Sequence, residues 1–138
     1  MIYYLVTLTK NLLVPKQIYF LVALLWAGVI AFFCLVQLNN VPLGNVSNID
    51  KFVHAFFYFV LTSLCFLFLK SLAMDVNSLK PLLVSFLFSI FFGIGIEIAQ
   101  ELLTTTRHAD VFDVLANISG ATLSVALIVL FGLNTKLK

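Results

Sequence analysis

His54 lies four residues after Asp50 and four before Tyr58. On a helix that spacing places a carboxylate, an imidazole and a phenol along one face over about two turns. Glu97, Gln100 and Glu101 share a face in the same way, as do Asp110, Asp113 and Asn117. An imidazole among carboxylates is equipment for general acid–base chemistry: His54 can carry a proton, with Glu97 or Asp113 orienting it or serving as the base. Lys51 and Arg107 stand beside these groups and can hold an anion. The acids Asp50, Glu97, Glu101, Asp110 and Asp113 are hard oxygen ligands suited to Mg²⁺, Mn²⁺ or Ca²⁺, and His54 admits a transition metal. No metal-specific spacing links them, so a divalent cation is an option that the residue types leave open.

The elements that would position these residues are dictated by composition. Of 138 residues, 62% are hydrophobic and 10% charged, with mean hydropathy +1.13. Soluble domains run near 45–50% apolar and about 25% charged. So little polar surface cannot cover a globule of this size, which excludes soluble enzymes, nucleic-acid binders and disordered tails and makes lipid the solvent. The net charge of +2 is also too small to imply a polyanionic partner. Four apolar stretches, 17–37, 52–69, 81–103 and 111–133, are each about long enough to cross a ~30 Å hydrocarbon core as a helix. The polar stretches between them, rich in Asn, Ser, Thr, Pro and charge, read as turns outside the bilayer. Residues 1–16 are broken by Lys10, Asn11 and Pro15 and read as an interfacial segment rather than a cleavable leader or fifth span. The expected architecture is an all-α, single-domain bundle of four transmembrane helices over residues 1–138.

Orientation follows from basic residues in short loops. Lys10, Lys16, Lys70, Lys80, Lys136 and Lys138 fall on one side, and only Lys51 and Arg107 on the other. Both termini are therefore expected in the cytoplasm, in a multi-pass protein of the cytoplasmic membrane. The acids reverse this bias: every one except Asp75 lies at the outer ends of spans two to four. Charge is costly in a membrane chain, so its crowding at one level asks for a reason. Counting residues along the hairpin from span three to span four, about a centre near Thr106, sets Glu97 level with Asn117 and Glu101 roughly level with Asp113.

Below this layer, span three carries Ser85, Ser89 and Gly93 at every fourth position, and span four carries Gly120, Ala121 and Ser124. Small residues so spaced let helices approach closely in lipid, and the ladder on span three turns Glu97 toward the bundle. Span one has no ionisable residue between its ends. Its Trp26 and phenylalanines read as a lipid-facing wall, and the span as scaffold. Cys34 and Cys65 sit in apolar runs and read as small apolar residues. Each polar residue also has a bland reading: Asp50, Lys51, Glu101, Asp110 and Tyr58 as interfacial groups, His108 as an exposed loop residue. His54, Glu97, Gln100, Asp113 and Asn117, one to two turns inside, are harder to explain without a site.

Taken together, Asp50-Lys51-Phe52-Val53-His54 with Tyr58, Glu97-Ile98-Ala99-Gln100, and Arg107, Asp110, Asp113, Asn117 and Gly120-Ala121 resemble three sequence blocks of the VanZ-like family of small bacterial membrane proteins. The blocks occur in order across about half the chain. Glu101 and His108 are not carried over as family markers. The resemblance implies an envelope location and those site residues. Because the founding member is associated with resistance to teicoplanin, it also implies, by analogy, a glycopeptide-related role.

Three functions are compatible with these features. The first is a non-enzymatic envelope protein whose outer pocket, formed by Asp50, Lys51, Tyr58, Gln100, Arg107, Asp110 and Asn117, binds a lipid-linked or glycopeptide ligand. The second is a membrane-embedded hydrolase or transferase acting on a lipid headgroup or isoprenoid-linked substrate, with His54, Glu97 and Asp113 as catalytic residues. The third is a small transporter or assembly subunit, for which nothing in the sequence encodes an oligomer. An acidic outer layer repels phosphate, so the enzyme reading works better with a bound divalent metal.

Overall fold

Each apolar run folds into one helix, the form in which a long apolar segment satisfies its backbone hydrogen bonds internally. A computed structural model describes residues 15–36, 49–73, 79–105 and 108–136. Its helices are α1 (Lys16–Leu35), α2 (Ile49–Leu72), α3 (Leu79–Leu103) and α4 (Val111–Lys136). All four are long and apolar enough to cross a membrane.

The helix ends depart from the hydropathy boundaries for physical reasons. Expected over 52–69, α2 extends three residues beyond each end. Asp50 in its first turn and Lys70 in its last complement the helix dipole, so polarity marks the edge of the apolar layer and not the end of the helix. Of the expected interfacial segment, Lys16 is the first residue of α1 and Pro15 its N-cap; residues 1–14 lie outside the described residues. Pro81 is the third residue of α3, where a missing amide proton costs no intrahelical bond. At its other end α1 stops at Leu35, two residues before the expected end at Gln37, and Val36 turns extended.

Helix α2 is the hub, packing against α1, α3 and α4, while α1 touches α2 and α3 but not α4 among the described residues. The parallel helices α2 and α4 form the most extensive interface. Gly120 makes it close: a Cβ there would fall well inside van der Waals contact distance of the Ala55 carbonyl oxygen. Ala121 and Ser124 continue the buried strip, and Ser124 Oγ lies 2.8 Å from Ser63 Oγ. On α3, Ser85, Ser89, Gly93 and Glu97 all face inward, and Thr62 donates to Ser89 at 2.9 Å.

Helix α1 closes the apolar core, where Ile30 and Cys34 meet Tyr58, Leu61 and Ile96. Trp26 departs from the expected lipid-facing wall. It is half-buried, donates Nε1–H to the Phe57 carbonyl at 3.0 Å, and packs edge-on to Phe56 and Phe57. Its indole N–H explains this, since it would have no partner among lipid tails. Phe20, Phe32 and Phe33 are exposed as expected. Large apolar side chains such as Leu25, Phe91, Leu102 and Phe131 cover the outside of the bundle, a surface suited to hydrocarbon and not to water.

Candidate functional site

The N-termini of α2 and α4 and the C-terminus of α3 lie at one end of the bundle, and there the three polar stripes meet. His54 is 2% exposed and occupies the centre. Its Nδ1 is 3.1 Å from Asn117 Oδ1 and 4.0 Å from Glu97 Oε1, and its Nε2 is 3.9 Å from Asp113 Oδ2. Lys51 Nζ bridges Asp110 Oδ2 at 3.2 Å and Asp113 Oδ1 at 3.3 Å. Asp50, exposed at the start of α2, groups with His54 and Asp113 so that one ligand atom from each lies within 4.8 Å of the others. An anion reaching Lys51 would have to displace one of its two carboxylates.

The register differs from the counted one by about a turn. Asn117 is level with Gly93, and Glu97 accepts from the Asp110 amide at 3.3 Å. Glu101 accepts from the Ala109 amide at 2.9 Å. Helix α3 ends at Leu103, and residues 108–110 return in non-helical form. Extended residues advance more than twice as far as helical ones, so the chain descends faster after the turn than a helical count allows.

Each remaining site residue has a definite place. Gln100 Nε2 donates to the Cys34 carbonyl at 2.8 Å, tying α3 to α1 instead of joining the His54 group. Glu101 lies outside the group, at the surface beside His108 Nδ1 at 3.5 Å. Asp110 caps α4, its Oδ1 accepting from the Phe112 amide at 2.8 Å. That hydrogen bond, with Lys51 next in weight, holds its carboxyl below the ordinary aspartate range. Arg107, expected to close the site, lies outside the described residues. Sequence reasoning missed the backbone partners, the amides of Ala109 and Asp110 and the carbonyl of Cys34, because a main-chain group leaves no residue-type signal.

The cluster is incompletely satisfied. Tyr58 Oη, Glu97 Oε1 and Asn117 Nδ2 are buried without a hydrogen-bond partner among the described residues. Tyr58 and Asn117 both line Gly93, whose missing side chain admits them: a Cβ there would lie 3.1 Å from Tyr58 Cε1 and from Asn117 Nδ2. Glu97 stands one turn above Gly93 on the same face. Asp50 and Asp113 sit at helix N-termini, where the dipole favours anions, but Glu97 sits near a C-terminus, where it does not. A cavity of about 250 Å³ lies elsewhere, in apolar surroundings that include Ala23, Ala27, Cys65 and Phe88.

No family model matches the chain, and neither a curated protein nor a solved structure matches it.

Proposed function

We propose that this is a multi-pass protein of the cytoplasmic membrane, with both termini cytoplasmic and the His54 end outward, and that it binds the polar part of a lipid-linked, cell-envelope or glycopeptide ligand there. The observation that carries this reading is a set of three buried atoms, on Tyr58, Glu97 and Asn117, that have no hydrogen-bond partner among the described residues. Each such atom costs about 1–3 kcal/mol, and a purely structural polar network satisfies its members. Two donors and an acceptor left open at one level suit a ligand that brings its own acceptors and donors. Membrane lipids surround the remainder of the bundle. The VanZ-like motif likeness adds a teicoplanin-related role to this proposal by analogy.

One observation favours a second reading, a hydrolase or transferase acting on a lipid headgroup or isoprenoid-linked substrate. His54 stands between Glu97 and Asp113 with Asn117 fixing its ring, an arrangement able to move a proton.

Native mass spectrometry of protein released from nanodiscs tests the binding reading, with a polyprenyl phosphate and teicoplanin as separate probes. Wild type is expected to retain one copy of at least one probe, and Tyr58→Phe, which removes only the unpartnered hydroxyl, to lose it. Equal retention by Tyr58→Phe, or no retention by wild type, overturns the proposal. Turnover of the polyprenyl probe to a product lost in His54→Gln would move the second reading ahead.

A further inference from the structure

Asp50, His54 and Asp113 come together from α2 and α4 with one potential ligand atom each, all within 4.8 Å of one another. By itself this is a polar group at two helix starts. The imidazole supplies an independent observation, because its two nitrogens face different surroundings. Nδ1 faces the Asn117 amide oxygen at 3.1 Å and Glu97 Oε1 at 4.0 Å. Only the Asn117 oxygen is within hydrogen-bond reach, and an amide oxygen accepts, so Nδ1 carries the proton. The lone pair of the neutral ring is then on Nε2. Its one ionic or hydrogen-bonding contact among the described residues is Asp113 Oδ2, at 3.9 Å and beyond hydrogen-bond reach.

His54, a residue only 2% exposed, thus aims a nitrogen lone pair that takes no hydrogen bond among the described residues at Asp113 Oδ2. Such an arrangement is repulsive unless a proton or a metal cation stands between them, and at 3.9 Å the two atoms are too far apart to share a proton in a hydrogen bond. Metal-bound histidines almost always donate the other ring N–H to an acceptor, the task that Asn117 performs here.

The remaining acids are excluded by their partners. Glu97 lies on the Nδ1 side of the ring, Asp110 is occupied by the Phe112 amide and Lys51, and Glu101 by the Ala109 amide and His108. Lys51 holds only Oδ1 of Asp113, leaving Oδ2 turned toward His54. Asp50, Glu97, Asp110 and Asp113 face a single ammonium among the described residues of the cluster, so an added dication relieves charge. Asp50 is exposed and provides a path of entry.

We propose that Asp50, His54 Nε2 and Asp113 Oδ2 bind one divalent transition-metal cation, Zn²⁺ or Mn²⁺. A nitrogen ligand beside two carboxylates disfavours Mg²⁺ and Ca²⁺, which take oxygen. Three protein ligands leave coordination positions free, and these give an acidic membrane end a way to attract an anionic headgroup. The inference deepens the binding proposal above and rests on reading this cluster as a ligand site.

The test uses the full chain in detergent, freed of any polyhistidine tag, stripped with chelator and given Zn²⁺ or Mn²⁺ alone. One equivalent of one of these ions should bind per chain in equilibrium dialysis. Asp50→Asn, a change at an exposed helix start, should weaken binding at least about tenfold, the lower limit for losing even an outer-shell partner. Imidazole ligation is read directly on wild type, as nitrogen modulation in pulsed EPR for Mn²⁺ or an imidazole shell in X-ray absorption for Zn²⁺. No stoichiometric uptake, unchanged affinity in Asp50→Asn, or bound metal without a nitrogen ligand each overturns the site. With no lipid or glycopeptide present, a failed metal titration removes the cation alone, and a failed probe experiment removes only the ligand.

Discussion

His54 Nδ1 and Asn117 Oδ1 are 3.1 Å apart and join α2 to α4 within the buried polar layer. The amide oxygen can only accept, so the neutral imidazole must protonate on Nδ1 and present Nε2 as a base or ligand toward Asp113. In metal-free protein, ¹⁵N NMR of the imidazole at a pH where the ring is neutral should therefore report the Nδ1–H tautomer. Asn117→Leu, which removes the acceptor, should shift the population toward Nε2–H. A ring that is mainly Nε2–H in wild type would reverse the direction in which His54 acts.

The parallel contact of α2 with α4 depends on Gly120. A methyl group there meets the Ala55 backbone, which cannot swing aside, whereas one at Gly95 meets nothing within 4 Å. Gly120→Ala is expected to destabilise by at least about 1–3 kcal/mol, the usual cost of overpacking. Gly95→Ala should be neutral, or stabilise by up to about 1 kcal/mol through helix propensity. Thermal denaturation of the two variants in the same detergent checks the contrast.

Much of this architecture is legible in sequence because long apolar helices simplify the problem. Apolar length marks the helices, and small residues four apart mark the faces that pack: Ser85, Ser89 and Gly93 point inward, and Glu97 follows them. Grouping His54, Glu97, Asp113 and Asn117 required only that three stripes lie at one end of the bundle. Their register was not legible, because it depends on the three non-helical residues 108–110, whose greater rise moves α4 by a turn relative to α3. Trp26 and Gln100 were misplaced for a related reason. Their partners are the carbonyls of Phe57 and Cys34, which any residue types at those positions would offer.

Asp110 gives the polar end an acid limb. Its carboxyl titrates below the ordinary aspartate range because the folded chain stabilises the anion, first through the Phe112 amide and then through Lys51. Folding therefore gains from this anion above about pH 3.9, the unfolded aspartate value, and loses that gain as pH falls through the lower folded value. Asn is also a good cap, so Asp110→Asn keeps the helix start and removes the charge. The apparent melting temperature of wild type should exceed that of Asp110→Asn at neutral pH, and the gap should close below about pH 4. A gap that persists unchanged into acid would show that the charge is not its source.

Six basic residues against two set the proposed orientation. Reporter fusions after Lys138 and within the Lys70–Lys80 loop should both report the cytoplasm. An external signal from either would place the His54 cluster at the inner face, where a cell-envelope ligand could not reach it.

Glu97 is a buried acid with little compensation among the described residues. It lies toward the C-terminal end of α3, is 3% exposed, and has one oxygen on the Asp110 amide and the other without a hydrogen-bond partner among the described residues. Glu97→Gln keeps the shape, and its amide oxygen can still accept from Asp110. If Glu97 only joins helices, the variant should fold and bind ligand as wild type does, and gain stability, since an uncompensated anion is removed from the wrong end of a helix dipole. If it serves the site, stability should hold or rise while retention of the polyprenyl phosphate or teicoplanin probe falls, the trade expected of a functional residue kept at a cost to folding. The second outcome is the expected one: an unchanged or higher melting temperature, with probe retention reduced at least about tenfold, equivalent to about 1.4 kcal/mol. Equal retention by Glu97→Gln and wild type would return Glu97 to the structural network and leave the unpartnered Tyr58 and Asn117 atoms as the only remaining support for the site.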